Sequence, residues 1–316
     1  MTMEPVARYT KTEAVIKRVY KIIANENCLE FFNGEKLYYD ILCINVGSRT
    51  RDAWNIPGVD KYTLSTRPIN DLLGKIERKE ESLIERKVLP KVIVCGAGCA
   101  GVELAFGFKA RWEKLFKSEI EVSLITSGQS PLPHEKACLV EEVERKLKEK
   151  NIKVYRGHRV VEVKEDGVLL DDGTFVEGNV PIWSTGAEPQ KVTERSDLEI
   201  SKGYFRVNEF LQSTSHPNVF GGGDCITMSP YEDLPRPFPP KAGVYAVRAG
   251  PVLAKNIAAY IKKEPLNAYA PQGEFLALLM TGDGKAIGTK FGIAFTGKWV
   301  WKMKDYIDVS FMNLFE

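Results

Sequence analysis

The feature that most constrains this chain is a glycine pattern set between two apolar strands. Residues 91–101 read Lys-Val-Ile-Val-Cys-Gly-Ala-Gly-Cys-Ala-Gly. A short apolar run, Val92–Cys95, opens into Gly96-x-Gly98-x-x-Gly101, which continues into a helix-like stretch, Val102–Phe108. A second apolar run, Val122–Ile125, follows. Alone, such a glycine triplet is weak evidence. Framed by strand, helix and strand within about 30 residues, it predicts a dinucleotide-binding βαβ unit. Gly96 makes the tight turn, Gly98 lets the backbone approach a pyrophosphate, and Gly101 lets helix and strand pack closely. The helix N-terminus then offers free N–H groups and the positive end of its dipole to phosphate.

A second constraint is an internal repeat. Residues 14–23 read as a strand. Cys28–Phe32 and Lys36–Tyr39 flank Asn33-Gly34, a hairpin signal, and the apolar run Asp40–Val46 ends in Gly47-Ser48. The same order recurs downstream. His158–Lys164 reads as a strand, Val168–Leu170 and Thr174–Val176 flank Asp171-Asp172-Gly173, and Val180–Thr185 ends in Gly186-Ala187. The second copy is headed by the glycine-loop βαβ unit; only a dozen residues precede the first. The expectation is that one dinucleotide unit is intact, that the other has lost its glycine-rich start, and that the chain begins inside a domain.

Between these landmarks, residues 49–64 read as a loop with its turn at Asn55–Gly58. A helix is predicted to start at Thr66-Arg67-Pro68 and to run through 69–87 with a solvated charged face, and 137–150 reads as an amphipathic helix. At Thr126-Ser127, where an NAD site usually carries Asp or Glu for the ribose 2′-hydroxyl, there is no acid and no adjacent Arg for a 2′-phosphate, so NAD and NADP both stay open. Further on, Val219-Phe220 runs into Gly221-Gly222-Gly223-Asp224, where glycines permit close approach and the acid can accept hydrogen bonds from sugar hydroxyls. A stiff proline loop leads to Lys241–Gly250, a helix with small residues at its start. At the C-terminus Trp299, Met303, Ile307, Phe311 and Phe315 repeat every four residues. That stripe reads as packing on its own domain or on a dimer mate; the alternative is a membrane-surface helix over 298–315 with access to a quinone. Lysines and acids balance along it, so attraction to anionic lipid is weak.

Bulk properties remove several classes. With 44% apolar and 27% charged residues the composition is that of an ordered globular protein, and 316 residues suggest two domains. A net charge of +2 gives no reason to invoke nucleic acid. The six cysteines form no Cys-x-x-Cys or disulfide framework, and the three histidines are too scattered to suggest a metal centre. No signal peptide or run of 18 apolar residues is visible. The expected setting is cytoplasmic, with membrane association and organelle left open.

Gly96–Glu103, Trp183–Ala187, Val219–Asp224 and Lys241–Gly250 together resemble the pyridine nucleotide-disulfide oxidoreductase superfamily. Within it the chain is similar to the type II NADH dehydrogenase-like branch linked to selenide, water dikinase, including Phe275–Gly284 and Trp299–Asp308. The resemblance implies an α/β fold of two Rossmann-like domains, an FAD domain interrupted by an NAD(P) domain, the first lacking its N-terminal βαβ, plus a C-terminal α+β segment. The implied division is 1–87 and 188–264 for FAD, 88–187 for NAD(P)H and 265–316 for the C-terminal segment. By the same resemblance, Gly96, Gly98, Gly101 and Thr126 belong to the nicotinamide nucleotide site, with Thr185 and Gly186 also cofactor-binding. Glu103 faces the nicotinamide. Gly47, Ser48, Gly223 and Asp224 line the flavin nucleotide, and Lys241, Ala242, Gly243 and Val244 lie near the isoalloxazine ring. The expected function is an FAD-dependent NAD(P)H oxidoreductase that passes electrons to a quinone or small molecule. The alternative is a truncated, catalytically impaired nucleotide-binding or interaction protein. A flavin-free dehydrogenase is disfavoured, because no Tyr-x-x-x-Lys or His/Asp constellation supplies a proton relay.

Overall fold

The computed structural model describes residues 3–66, 69, 72–273 and 276–315. They form two compact units, each built from two stretches of chain: residues 1–49 with 187–273, and residues 50–186 with 274–316.

In chain order, the first unit begins with α1 (Met3–Thr10), β1 (Val19–Ile23), β2 (Cys28–Phe31), β3 (Lys36–Tyr38) and β4 (Leu42–Ile44). The second unit supplies β5 (Arg49–Thr50, at the boundary), α2 (Val59–Tyr62), β6 (Leu64–Ser65), α3 (Leu72–Glu85), β7 (Lys91–Cys95), α4 (Cys99–Phe116), β8 (Glu121–Thr126) and α5 (Ala137–Glu149). It continues with β9 (Lys153–Arg156), β10 (Val160–Lys164), β11 (Gly167–Leu170), β12 (Phe175–Glu177) and β13 (Val180–Trp183). The chain then returns to the first unit with β14 (Ala187–Glu188), α6 (Lys191–Arg195), β15 (Ile200–Ser201), β16 (Tyr204–Val207), β17 (Val219–Gly221), β18 (Ile226–Met228) and α7 (Gly243–Lys262). It closes in the second with β19 (Ala277–Met280), β20 (Ala286–Lys290), β21 (Ile293–Gly297) and α8 (Lys298–Met312).

The second unit is organised by a five-stranded sheet in the order β6-β13-β7-β8-β9, with every pair parallel. Its central strands read as continuous apolar runs because both faces are covered. On one face Val92, Val94, Val122 and Leu124 pack with α3, α4, α5 and with Leu279 and Ile287 of the C-terminal sheet. On the other, Ile93, Cys95, Ile125 and Trp183 pack with the β10–β12 meander. The charged run of α3 is not wholly solvated as expected. Glu80 is buried and takes Nε and Nη2 of Arg111 at 2.6 and 2.9 Å and Nε1 of Trp112 at 2.6 Å, which fixes α3 to α4. Arg111 holds the Glu80 carboxyl below its ordinary range, against burial.

In the first unit, β1-β2-β3 form an antiparallel meander, β4 pairs in parallel with β17, and α7 packs over a core that includes Ile44, Phe220 and Leu253. The predicted strand over 14–23 shrinks to Val19–Ile23, because Val15 and Ile16 are exposed and have no face to bury. The expected loop over 49–64 contains the short helix α2, seated by the buried Val59. The predicted helix start includes Arg67 and Pro68, which lie outside the described residues.

Candidate functional site

The glycine loop lies where β7 hands over to α4. Gly96 has φ +108°, which disfavours any residue with a Cβ, and such an atom would sit 2.2 Å from the Ser184 carbonyl oxygen. At Gly101 a Cβ would lie 1.8 Å from the Gly96 carbonyl oxygen, so the helix approaches the loop as closely as backbone allows. At Gly98 the same space is open, as a site for close approach of a ligand to the backbone requires. The loop is braced on both flanks: Gly96 N–H donates to Ile125 O at 2.9 Å, and Ser184 N–H donates to Cys95 O at 2.8 Å. These features fit a dinucleotide phosphate at the N-terminus of α4, at the C-terminal edge of the parallel sheet. A cavity of about 880 Å³ opens elsewhere, beside Lys79, Arg86 and Asn179. Asn179 Oδ1 accepts from Lys91 N–H at 2.8 Å, which places that cavity at the N-terminal end of β7.

Glu103, in the first turns of α4, accepts the Met280 N–H of β19 at 2.9 Å. Burial pushes its carboxyl above the ordinary range, opposed by that N–H and by Lys304. This tie between residues 177 apart in the chain was not visible in the sequence. Thr126 closes β8 with a buried side chain whose Oγ1 accepts Gly128 N–H at 3.1 Å. Thr185 and Gly186 are held on Arg51: Thr185 Oγ1 and Trp183 Nε1 both donate to its carbonyl, at 2.5 and 2.8 Å, and its N–H donates to Gly186 O at 3.0 Å. The sequence carries no signal for this role of Arg51, because the groups that hold Trp183, Thr185 and Gly186 are its backbone carbonyl and N–H.

The remaining predicted residues lie in the first unit. Ser48 Oγ donates to Asp224 Oδ2 at 2.9 Å, and Gly47 precedes it with φ +63°. Gly222 N–H donates to Ile44 O at 3.0 Å, which clamps the triple-glycine turn to β4 and sets Gly223 and Asp224 in a short 3₁₀ turn. Gly223, Asp224, Ala242 and Tyr245 line a narrow cleft of about 10 Å³. Ala242 precedes α7, and Gly243 and Val244 open it; the space beside Gly243 that a Cβ would fill is open. Lys241 does not line that cleft. Its amine donates to Ile226 O and sits 4.0 Å from the Tyr204 ring centroid. Burial brings it down to about 8, opposed by the Asp224 carboxylate. The structure therefore brings Gly47, Ser48, Gly223, Asp224 and Ala242–Val244 together in one unit, and Gly96–Glu103, Thr126, Thr185 and Gly186 together in the other.

The C-terminal stripe is largely uncovered. Val300 of α8 is buried and Trp299 stacks on Phe295 at 5.2 Å, whereas Tyr306, Ile307, Phe311 and Met312 are exposed. The expectation that it packs away holds for part of its length only. The side chain of Phe315 lies outside the description. No described helix is long and apolar enough to cross a membrane.

Comparison with known proteins fits this geometry. The chain is 28% identical over 269 residues to ferroptosis suppressor protein 1 of Mus musculus, across 81% of this chain and 65% of that protein. It is 25% identical over 290 residues to the mitochondrial internal alternative NAD(P)H-ubiquinone oxidoreductase A1 of Solanum tuberosum, across 79% of this chain and 57% of that one. The chain thus spans less than two thirds of these relatives. The fold is similar to that of NDH2 from Plasmodium falciparum in complex with NADH, with a TM-score of 0.78 at 16% identity over 94% of this chain and 80% of that one. The family model described as pyridine nucleotide-disulphide oxidoreductase matches residues 4–250, and the chain belongs to that family.

Proposed function

We propose that this chain is an FAD-dependent NAD(P)H oxidoreductase that takes a hydride from the nicotinamide cofactor and passes electrons to a quinone or another small acceptor. In this reading residues 1–49 and 187–273 hold FAD, and the glycine-loop unit holds NAD(P)H. The observation that carries it is the open backbone at Gly98, set between the two close contacts at Gly96 and Gly101. The named activity of the similar potato protein supports it.

When bound, the flavin supplies hydride acceptance and onward electron transfer. The protein's own part is binding and placement. The N–H groups that open α4 neutralise the nicotinamide cofactor's pyrophosphate. Asp224, held by Ser48, accepts hydrogen bonds from the flavin's sugar-alcohol chain. The start of α7, open beside Gly243, would offer its positive dipole end to a flavin held there and would stabilise negative charge on it. Glu103, one oxygen already fixed by Met280, orients the nicotinamide ring. The exposed face of α8 is the surface that contact with a membrane would use in this same reading.

The test is the absorption spectrum of the purified or flavin-reconstituted chain, followed by anaerobic bleaching with NADH and NADPH. The expected result is a bound flavin that either donor bleaches, and an Asp224→Ala variant that retains at least about tenfold less flavin. A chain that takes up neither flavin nor nicotinamide nucleotide overturns the reading.

A further inference from the structure

The end of β8 is the position from which a ribose-binding acid would exclude a 2′-phosphate, and here it is Thr126, neutral and buried. Its hydroxyl is taken by the Gly128 N–H. The sheet brings a cation to the same place. β9 lies beside β8 with Thr126 aligned to Arg156, so the last residue of each strand shares the sheet's C-terminal edge. Paired positions on neighbouring parallel strands point to the same face, which here is the face carrying α4 and α5. The Arg156 guanidinium is tethered on that face, its Nη2 donating to Glu144 Oε2 of α5 at 2.5 Å, and its side chain is 41% exposed. A guanidinium carries five N–H donors, so one such bond orients the fork without exhausting it.

The rim around it is built rather than loose. Gly157 N–H donates to Gly128 O at 3.0 Å and His158 N–H to Thr126 O at 3.1 Å, lacing the loop after β8 to the loop after β9. Nearby acids are engaged. Asp171 and Asp172 lie 3.4 and 3.6 Å from His158 Nδ1, and Asp172 also accepts from Thr174.

We propose that the glycine-loop unit selects the 2′-phosphorylated nicotinamide dinucleotide, with Arg156 receiving the 2′-phosphate and the neutral Thr126 permitting it. The proposal deepens the reading of this unit as a nicotinamide nucleotide site and rests on it. A phosphate monoester is the ligand a strand-anchored guanidinium fork matches, and it gains most where no carboxylate stands at the end of β8.

Calorimetric titration of the full chain with adenosine 2′,5′-bisphosphate, adenosine 5′-monophosphate, NADP⁺ and NAD⁺ tests this without turnover. The 2′-phosphorylated member of each pair should bind about tenfold tighter at low salt, with the advantage shrinking as ionic strength rises. Arg156→Gln should erase the advantage while adenosine 5′-monophosphate and NAD⁺ still bind as to the parent. Thr126→Asp should reverse it. If NAD⁺ and NADP⁺ bind equally, or if Arg156→Gln keeps the preference, the assignment of Arg156 falls and the nicotinamide site stands. If neither dinucleotide binds, both fall.

Discussion

The chain contains the same meander twice, in different surroundings. In the first copy β1-β2-β3 is antiparallel, with a register shift between Val19 and Lys21. In the second, β10-β11-β12 repeats that order, with its shift between Val160 and Glu162. Each copy runs into a parallel strand and then a glycine of positive φ, Gly47 at +63° and Gly186 at +103°. The difference lies in what flanks the parallel strand. β13 has partners on both sides, β6 and β7, and all four of its residues are buried. β4 pairs with β17 among the described residues, and Cys43 at its centre is exposed. Aligned on the terminal glycines, Cys43 corresponds to Ile182. The meander is the constant module; the energetic weight of the strand that follows depends on its flanks.

That contrast can be broken most directly at this pair. Ile182→Ala should cost about 3 kcal/mol, because a fully buried side chain leaves a cavity between two packed faces. Cys43→Ala should stay within about 0.5 kcal/mol. Equal losses in urea titrations would show that the two strands carry similar loads. The glycines sharpen it next. Gly47 lies in the left-handed region that other residues visit at modest cost, whereas Gly186 lies outside it. Gly186→Ala should therefore cost about 2 kcal/mol and Gly47→Ala about 1 kcal/mol. Reversed sizes would mean that the two turns do not play matching roles.

The smallest effect concerns the helix that heads the second copy. Burial raises the Glu103 carboxyl above its ordinary range, so the folded state favours the protonated form. Its stabilising contribution is full below the ordinary carboxylate range and is lost as pH rises through the raised value. Glu103→Gln should thus gain on the parent as pH rises through that window and then run level. A parent that instead gains on the variant with rising pH would show that Met280 and Lys304 outweigh burial.

Much of this was legible in the sequence because it is local. Asn33-Gly34 and Asp171-Asp172-Gly173 announce hairpins through backbone requirements, and the triplet Gly96, Gly98, Gly101 announces its loop in the same way. What stayed hidden depends on neighbours distant in the chain. The apolar Val15 and Ile16 look like strand residues, but exposure leaves them outside it. Glu80 looks like one charge in a solvated run, yet it is buried because Arg111 and Trp112 reach it from another helix. Arg156 lies thirty positions beyond Thr126 and becomes its neighbour only through the register of β8 and β9.

The interleaving of the two units has a consequence for the order in which the protein is made. Residues 1–49 leave the ribosome 137 residues (50 to 186) before the stretch with which they share a core begins to emerge. At about 5–20 residues per second, that is a wait on the order of ten seconds. Throughout it Ile22 and Ile44 lack the phenylalanines, leucines and methionine that later cover them. The newborn first meander therefore waits for its core partners while the whole of the intervening stretch is made, open to chaperones and to misassociation.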